Sequence, residues 1–227
     1  MRTFALSILV ITGTILFTSC NKKKDYSNVK LTNELDSASY YLGIFWGRNA
    51  QSGGLDELNY EALSKGLQAV YEKDTTIPPN YVMQNYLQMF SVKRMFKDYK
   101  SENEKFLTEN AKKDSVQTLP SGLQYIVISE GNGPKPAVND TVTVNYVGTT
   151  IDGMEFDNSY KRGQPAVFNV SGVIKGWTEA LQLMSTGSKY RLFIPYQLGY
   201  GEMGSQRIKP YSTLIFEVEL LSVKPGM

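Results

Sequence analysis

The chain has 227 residues, 41% of them hydrophobic and 20% charged, an ordinary globular balance with room for one large domain or two small ones. A formal charge of +2 gives no electrostatic case for a nucleic-acid partner. There is no histidine and a single cysteine, which excludes histidine general bases, serine–histidine triads, intrachain disulfides and multi-cysteine metal clusters. The chemistry needs neither imidazole nor thiolate, and no residue set calls for a cofactor or a metal.

Arg2 opens a short basic region, and residues 4–17 form an apolar run broken only by Ser7, Thr12, Gly13 and Thr14. The run is too short for a comfortable membrane span and suits a secretory signal. It ends in Leu16-Phe17-Thr18-Ser19-Cys20, which resembles a bacterial lipobox. That resemblance implies a signal peptide over residues 1–19, acylation of the Cys20 sulfur and cleavage on its N-terminal side. The mature chain would then be lipid-anchored in the bacterial cell envelope, at the outer membrane facing the periplasm. An ordinary signal peptide with an incidental cysteine, or an uncleaved anchor, is the competing reading. Residues 20–33 read as a polar tether. Lys22, Lys23 and Lys24 either touch anionic headgroups, at about 1 kcal/mol each, or are simply solvated.

Residues 34–117 read as helical. Asp36 is a candidate cap for a segment in which Ala38, Tyr41, Leu42, Phe45 and Trp46 recur at helical spacing, and Gly53-Gly54 marks a turn. Asn59 is placed to cap a second helix with Ala62, Leu63, Gly66, Leu67 and Val70 on one face. Pro78-Pro79 breaks the chain. Val82, Tyr86, Met89, Phe90, Lys93, Phe96 and Tyr99 then predict one long helix that grows polar towards residue 113. Such stripes are usually core, but two short helices and one long one leave wide apolar faces uncovered. The simplest cover is a second copy of the chain.

From residue 118 the texture changes. Residues 123–128 alternate as a half-buried strand does, residues 141–148 read as another strand, and Asp152-Gly153 suggests a hairpin. Further strands are expected at 166–170, 189–194 and 213–223. Between them residues 176–184 form a short helix with Trp177, Ala180, Leu181 and Met184 inward. The reading is an α+β domain over residues 118–227, a curved antiparallel sheet wrapped on one short helix, preceded by an all-α segment with a long linker helix.

The residues of this second half also carry a family resemblance. Leu119-Pro120-Ser121-Gly122-Leu123-Gln124-Tyr125 is similar to the entry of bacterial FKBP-type peptidyl-prolyl cis/trans isomerase domains. The similarity continues through Val144 to Gly148, Asp152 to Ser159, Val173-Ile174-Lys175-Gly176-Trp177, Leu198-Gly199-Tyr200-Gly201 and Thr213 to Leu220. The helical half resembles, more faintly, the dimerisation region of the macrophage infectivity potentiator group, through Ser39 to Gly43, Gly47-Arg48-Asn49 and Ala62 to Gly66. The resemblance implies isomerisation of X–Pro bonds in exported, proline-containing polypeptides, and a homodimer formed through the N-terminal helices. The alternative is a holdase chaperone or peptide-binding adaptor with little isomerase activity.

The resemblance also implies site roles. Trp177 would form the floor of an apolar bowl, with Tyr146, Phe156 and Phe216 walling the proline ring and Val173 and Ile208 beside them. The Ile174 N–H and the Tyr200 hydroxyl would hold substrate carbonyls. Asp157, held by Tyr146 and Arg162, would orient the polar rim. Asp157, Tyr200, Trp177 and Phe156 are the catalytic candidates; Tyr146, Arg162, Val173, Ile174, Ile208 and Phe216 are the substrate-binding ones. Taken singly, each aromatic is ordinary core, Asp157 beside Asn158-Ser159 is turn chemistry, and Arg162 is a surface charge. Ala166 stands where many relatives place an aromatic, which would leave one wall open. Lys209 replaces a proline in the loop of residues 204–211. The lipobox reading has a direct test: Cys20→Ser is expected to release the protein from membranes or leave it uncleaved. Unchanged attachment and mature mass would overturn it.

Overall fold

The computed structural model describes residues 28–226. The signal segment, Cys20 and the start of the tether lie outside the described residues. The chain divides into two compact units, Met1–Trp46 and Gly47–Met227, and each is taken by itself.

In the first unit the described residues enter α1 (Glu34–Ser52). Its cap differs from the expected one. The Asn33 side chain accepts from the Asp36 N–H at 2.9 Å, while the Asp36 carboxylate turns back to accept from the N–H and hydroxyl of Thr32, both at 2.8 Å. Asn33 is therefore the cap and Asp36 the returning partner, a reciprocal arrangement that satisfies two end groups together. Tyr40, Tyr41, Leu42, Phe45 and Trp46 are all exposed.

The second unit opens with α2 (Tyr60–Tyr71), capped as expected by Asn59, whose side chain accepts from Glu61 and Ala62 at 3.1 Å each. Pro79 precedes α3 (Asn80–Met95). The predicted long helix is broken at one residue: Phe96 (φ −107°, ψ 16°) separates α3 from α4 (Lys97–Asn110). The hydrogen-bond ladder nevertheless crosses the break, from Phe96 N–H to Val92 O and from Lys100 N–H to Phe96 O, at 3.0 and 2.8 Å. No residue of α2 or α3 is buried, whereas α4 buries Asn103 and Asn110. No helix of the described residues is long and apolar enough to cross a membrane.

Seven strands follow: β1 (Gln117–Thr118), β2 (Gln124–Ser129), β3 (Thr141–Thr150), β4 (Glu155–Asn158), β5 (Ala166–Asn169), β6 (Lys189–Ile194) and β7 (Leu214–Lys224). Every pairing is antiparallel, in the order β1-β2-β6-β7-β3-β4 with β5 also on β3. The alternation of burial along β3, and along β7 as far as Leu220, shows one face packed and the other more open. Against the packed face lies α5 (Lys175–Leu181), which buries Gly176, Trp177, Ala180 and Leu181. Gly176 permits the approach, because a Cβ there would stand 2.5 Å from Ile194 Cγ2.

One feature of β3 positions the site. Its outer edge is shared by two short strands, with β5 pairing residues 141–144 and β4 pairing residues 147–149. Tyr146 falls in the gap. Ser159, fully buried, closes it: its Oγ accepts the Tyr146 N–H at 2.9 Å and its own N–H donates to Tyr146 O at 3.0 Å.

Candidate active site

Trp177 enters the core from the first turn of α5, and three rings meet it edge to face. The centroids of Tyr146, Phe216 and Phe168 lie 5.0, 5.2 and 5.7 Å away, at interplanar angles of 85°, 81° and 86°. Such geometry sets ring edges against negative faces and adds about 0.5–1.5 kcal/mol per pair beyond burial. Phe156 extends the wall, perpendicular to Phe216 at 5.4 Å. Gly148 makes room for that pair, since a Cβ there would meet both rings at under 3 Å.

These rings enclose a cavity of about 280 Å³, lined also by Asp157, Gly172, Val173, Ile174 and Tyr200. Its volume falls just short of the ~300 Å³ at which drug-sized sites begin, so it suits one small ring. A wider, open lobe adjoins it across Tyr146, Asp157 and Phe168, lined by Arg162, Gln164, Pro165, Ala166 and Val167. The smaller space is the chemically defined one, because aromatic rings wall it and polar groups converge on its rim.

Those polar groups form a linked set. Tyr146 Oη donates to Asp157 Oδ2 at 2.5 Å. Arg162 pairs with the other Asp157 oxygen and donates to Tyr146 Oη at 2.8 Å, its guanidinium lying 5.2 Å from the Tyr146 ring centre. The Asn158 N–H adds a 2.9 Å bond to Asp157. Burial pushes the Tyr146 phenol up to about 12, and its bond to Asp157 pushes the same way. Burial, then the Asp157 charge, also raises the Tyr200 phenol. The Tyr146 bond is the first cause holding Arg162 above its ordinary value. Tyr200 is 42% exposed. Among the described residues no acceptor lies against the Ile174 N–H, although the Ile174 carbonyl caps α5 by accepting from Trp177 and Thr178 at 2.9 and 3.1 Å.

Eight of the sequence-predicted residues therefore line one cavity: Tyr146, Phe156, Asp157, Val173, Ile174, Trp177, Tyr200 and Phe216. Arg162 stands on the neighbouring lobe and reaches back to Asp157. Ile208 is 4% exposed and belongs to the core cluster rather than the lining. Ala166 lines the open lobe, while Phe168, two residues on and on the same face of β5, supplies a ring against Trp177. The period-two alternation of that strand was the signal that could have found it. Ser159 was likewise missed, because its role exists only across the β3 gap.

Residues 133–221 match the family model described as FKBP-type peptidyl-prolyl cis-trans isomerase, and residues 35–127 match the domain amino-terminal to it. The chain is 42% identical over 205 residues to the outer membrane protein MIP of Legionella longbeachae, covering 86% of this chain and 88% of that one. It belongs to the FKBP-type isomerase family. A 22 kDa FKBP-type peptidyl-prolyl cis-trans isomerase of Escherichia coli is 45% identical, with 82% of this chain and 94% of that one covered. The crystal structure of FkpA from Escherichia coli superposes with a TM-score of 0.60 at 35% identity, covering 87% of this chain and all of that one. The protein is thus a peptidyl-prolyl cis-trans isomerase: an FKBP-type catalytic domain behind a helical N-terminal domain.

The site predicts a flat pH response. Rotation about an amide moves no proton, and the Tyr146 phenol stays neutral well above its ordinary pKa of about 10. A folded value of about 12 means that the fold favours the protonated phenol. That stabilisation is complete below about pH 10 and is lost as pH rises through about 12. Activity is expected to be level between about pH 6 and 9, with stability eroding only at higher pH. Proline-peptide assays across that range and denaturant melts carried up to about pH 12 check both, and a bell-shaped rate profile between about pH 6 and 9 would contradict the reading.

Proposed function

We propose that the cavity over Trp177 receives the prolyl ring of an exported polypeptide and that its rim holds the flanking carbonyls. The observation that carries this is the pairing of an aromatic bowl with an unbonded backbone N–H at Ile174 and an accessible Tyr200 hydroxyl. The barrier to peptide rotation is about 18–20 kcal/mol because resonance gives the C–N bond double-bond character, and X–Pro bonds populate both isomers. Resonance separates charge between oxygen and nitrogen, and water stabilises that separation. Inside the bowl water is stripped away, which favours the twisted, less resonant amide. The Ile174 N–H and Tyr200 hydroxyl hold the chain so that the twisted form is bound best. Asp157, fixed by Tyr146 and Arg162, places negative charge beside the rotating group. A thousandfold to millionfold acceleration requires only about 4–8 kcal/mol of such differential binding.

The same proposal extends to the rest of the chain. Cys20 carries the lipid, tethering the mature protein to the envelope, a placement in keeping with a relative named as an outer membrane protein. Residues 34–117 serve as dimerisation region and linker, and residues 118–227 as the isomerase domain. Two copies cover the exposed apolar side chains of α1 to α3, and paired sites engage one unfolded client with raised avidity.

Two experiments test this reading. Asp157→Ala and Tyr200→Phe are expected to lower isomerase turnover with little change in melting temperature. Trp177→Ala should harm both, at about 3–5 kcal/mol of stability. Full activity in Asp157→Ala would remove the polar rim from the mechanism. Light scattering on the chain lacking residues 1–20 is expected to give a dimer. A monomer at micromolar concentration would overturn the paired arrangement.

A further inference from the structure

The loop that carries Tyr200 is held from outside the catalytic sheet. Residues 199–213 connect the short helical turn Tyr196–Leu198 to β7, and α4 lies against them. Asn103 is 1% exposed and uses both ends of its amide. Its Nδ2 donates to Tyr99 O one turn back at 2.8 Å, and its Oδ1 accepts the buried Thr213 N–H at 2.7 Å. Tyr99 and Ser212 are hydroxyl to hydroxyl at 3.1 Å. Lys100 sets its ammonium 5.4 Å from the centre of the Tyr211 ring and 5.8 Å from that of Tyr196.

Tyr211 shows why the loop needs such a hold. Its φ is +62°, a left-handed conformation that a bulky side chain adopts rarely and at a cost of about 1–3 kcal/mol. Strain of that kind persists only where surrounding contacts over-determine it. Here the Tyr211 ring is 1% exposed and packs edge-on against Tyr196 at 5.1 Å, with the Lys100 charge close by. The Tyr211 N–H also donates to Gly201 O at 3.3 Å, tying the strained residue to the neighbour of Tyr200.

We infer that Asn103, with Lys100, is a positioning residue for catalysis: α4 latches the loop of residues 199–213 and so fixes Tyr200 at the cavity rim. The latch lies in the helical segment before the first strand, so the catalytic geometry depends on a helix outside the sheet. This inference rests on the proposed role of Tyr200. A change in how α4 seats is felt at the rim through Thr213, Tyr211 and Gly201, without moving the Trp177 floor.

A control sits on the same helix. Asn110 is also 1% exposed, but it pairs with Gln124 on β2 at 2.9 Å, away from the loop. Removing either amide strands a buried partner and should cost comparable stability. In the full chain, at a temperature where all variants are folded, Asn103→Ala is expected to lower kcat/KM about tenfold or more, as small misplacements of catalytic groups do. Amide hydrogen exchange should quicken across residues 200–213. Asn110→Ala should keep kcat/KM within about twofold despite its lost hydrogen bond. Equal losses in the two variants, or no loss in Asn103→Ala, would overturn the latch. Should Asn103→Ala not fold, Lys100→Met removes the charge beside the two rings together with an exposed ion pair to Glu104. It is expected to act in the same direction, and parent-like activity and exchange in that variant would overturn the latch equally. Tyr200→Phe, run in parallel, separates the two ideas. If it retains parent activity, the rim assignment fails; if it loses activity while Asn103→Ala does not, the latch alone fails.

Discussion

The indole of Trp177 is the contact on which the catalytic half depends. It is 3% exposed and touches Tyr146, Phe168 and Phe216 edge to face, so it joins β3, β5 and β7 to the first turn of α5. A ring that is both floor of the cavity and centre of the core cannot shift without moving the sheet, because protein interiors are packed near crystal density. The site's rigidity is thus the core's rigidity. Two glycines make this possible by being small: Gly176 lets α5 reach Ile194, and Gly148 leaves room for Phe156 against Phe216.

The polar side of the site is built differently. Asp157, Tyr146 and Arg162 come from β4, β3 and the short turn after β4, and they meet because the edge of β3 is divided between two strands. Ser159 replaces the missing ladder bonds at Tyr146, which satisfies backbone groups that would otherwise be buried without partners. The gap leaves the cavity open at that edge while the linked Asp157, Arg162 and Tyr146 keep their polar atoms oriented. No proton need leave the site, which agrees with a chain that has no histidine.

Much of this was legible beforehand. The alternation at residues 123–128 predicted β2, and the strand signals at 141–148 and 189–194 predicted β3 and β6. The spacing of Trp177, Ala180 and Leu181 predicted the buried face of α5, because local hydrophobic periodicity reflects a nearby core; the helix stops at Leu181, and Met184 is buried beyond its end. Asn59 capped α2 as expected, since a cap is a contact within four residues. The errors share a cause. Asp36 and Asn33 are both good caps, and only the helix geometry chose between them. Phe96 breaks a pattern that reads as one continuous helix. Phe168 was passed over because attention went to Ala166 through the family resemblance rather than to the face of β5.

The sequence by itself determined which residues would be apolar neighbours along each element, the α+β organisation, and most of the rings and polar groups at the cavity. Those are properties of short-range pattern and of ordered motifs, both written in the linear chain. Tertiary structure alone decided that Ser159 would stand in for a strand, that Ile208 would join the core instead of the lining, and that Asn103 of α4 would hold Thr213. Each depends on a contact between residues far apart in the chain or on a gap between strands. Side-chain patterning carries no record of such distances until the sheet has closed and its register is fixed.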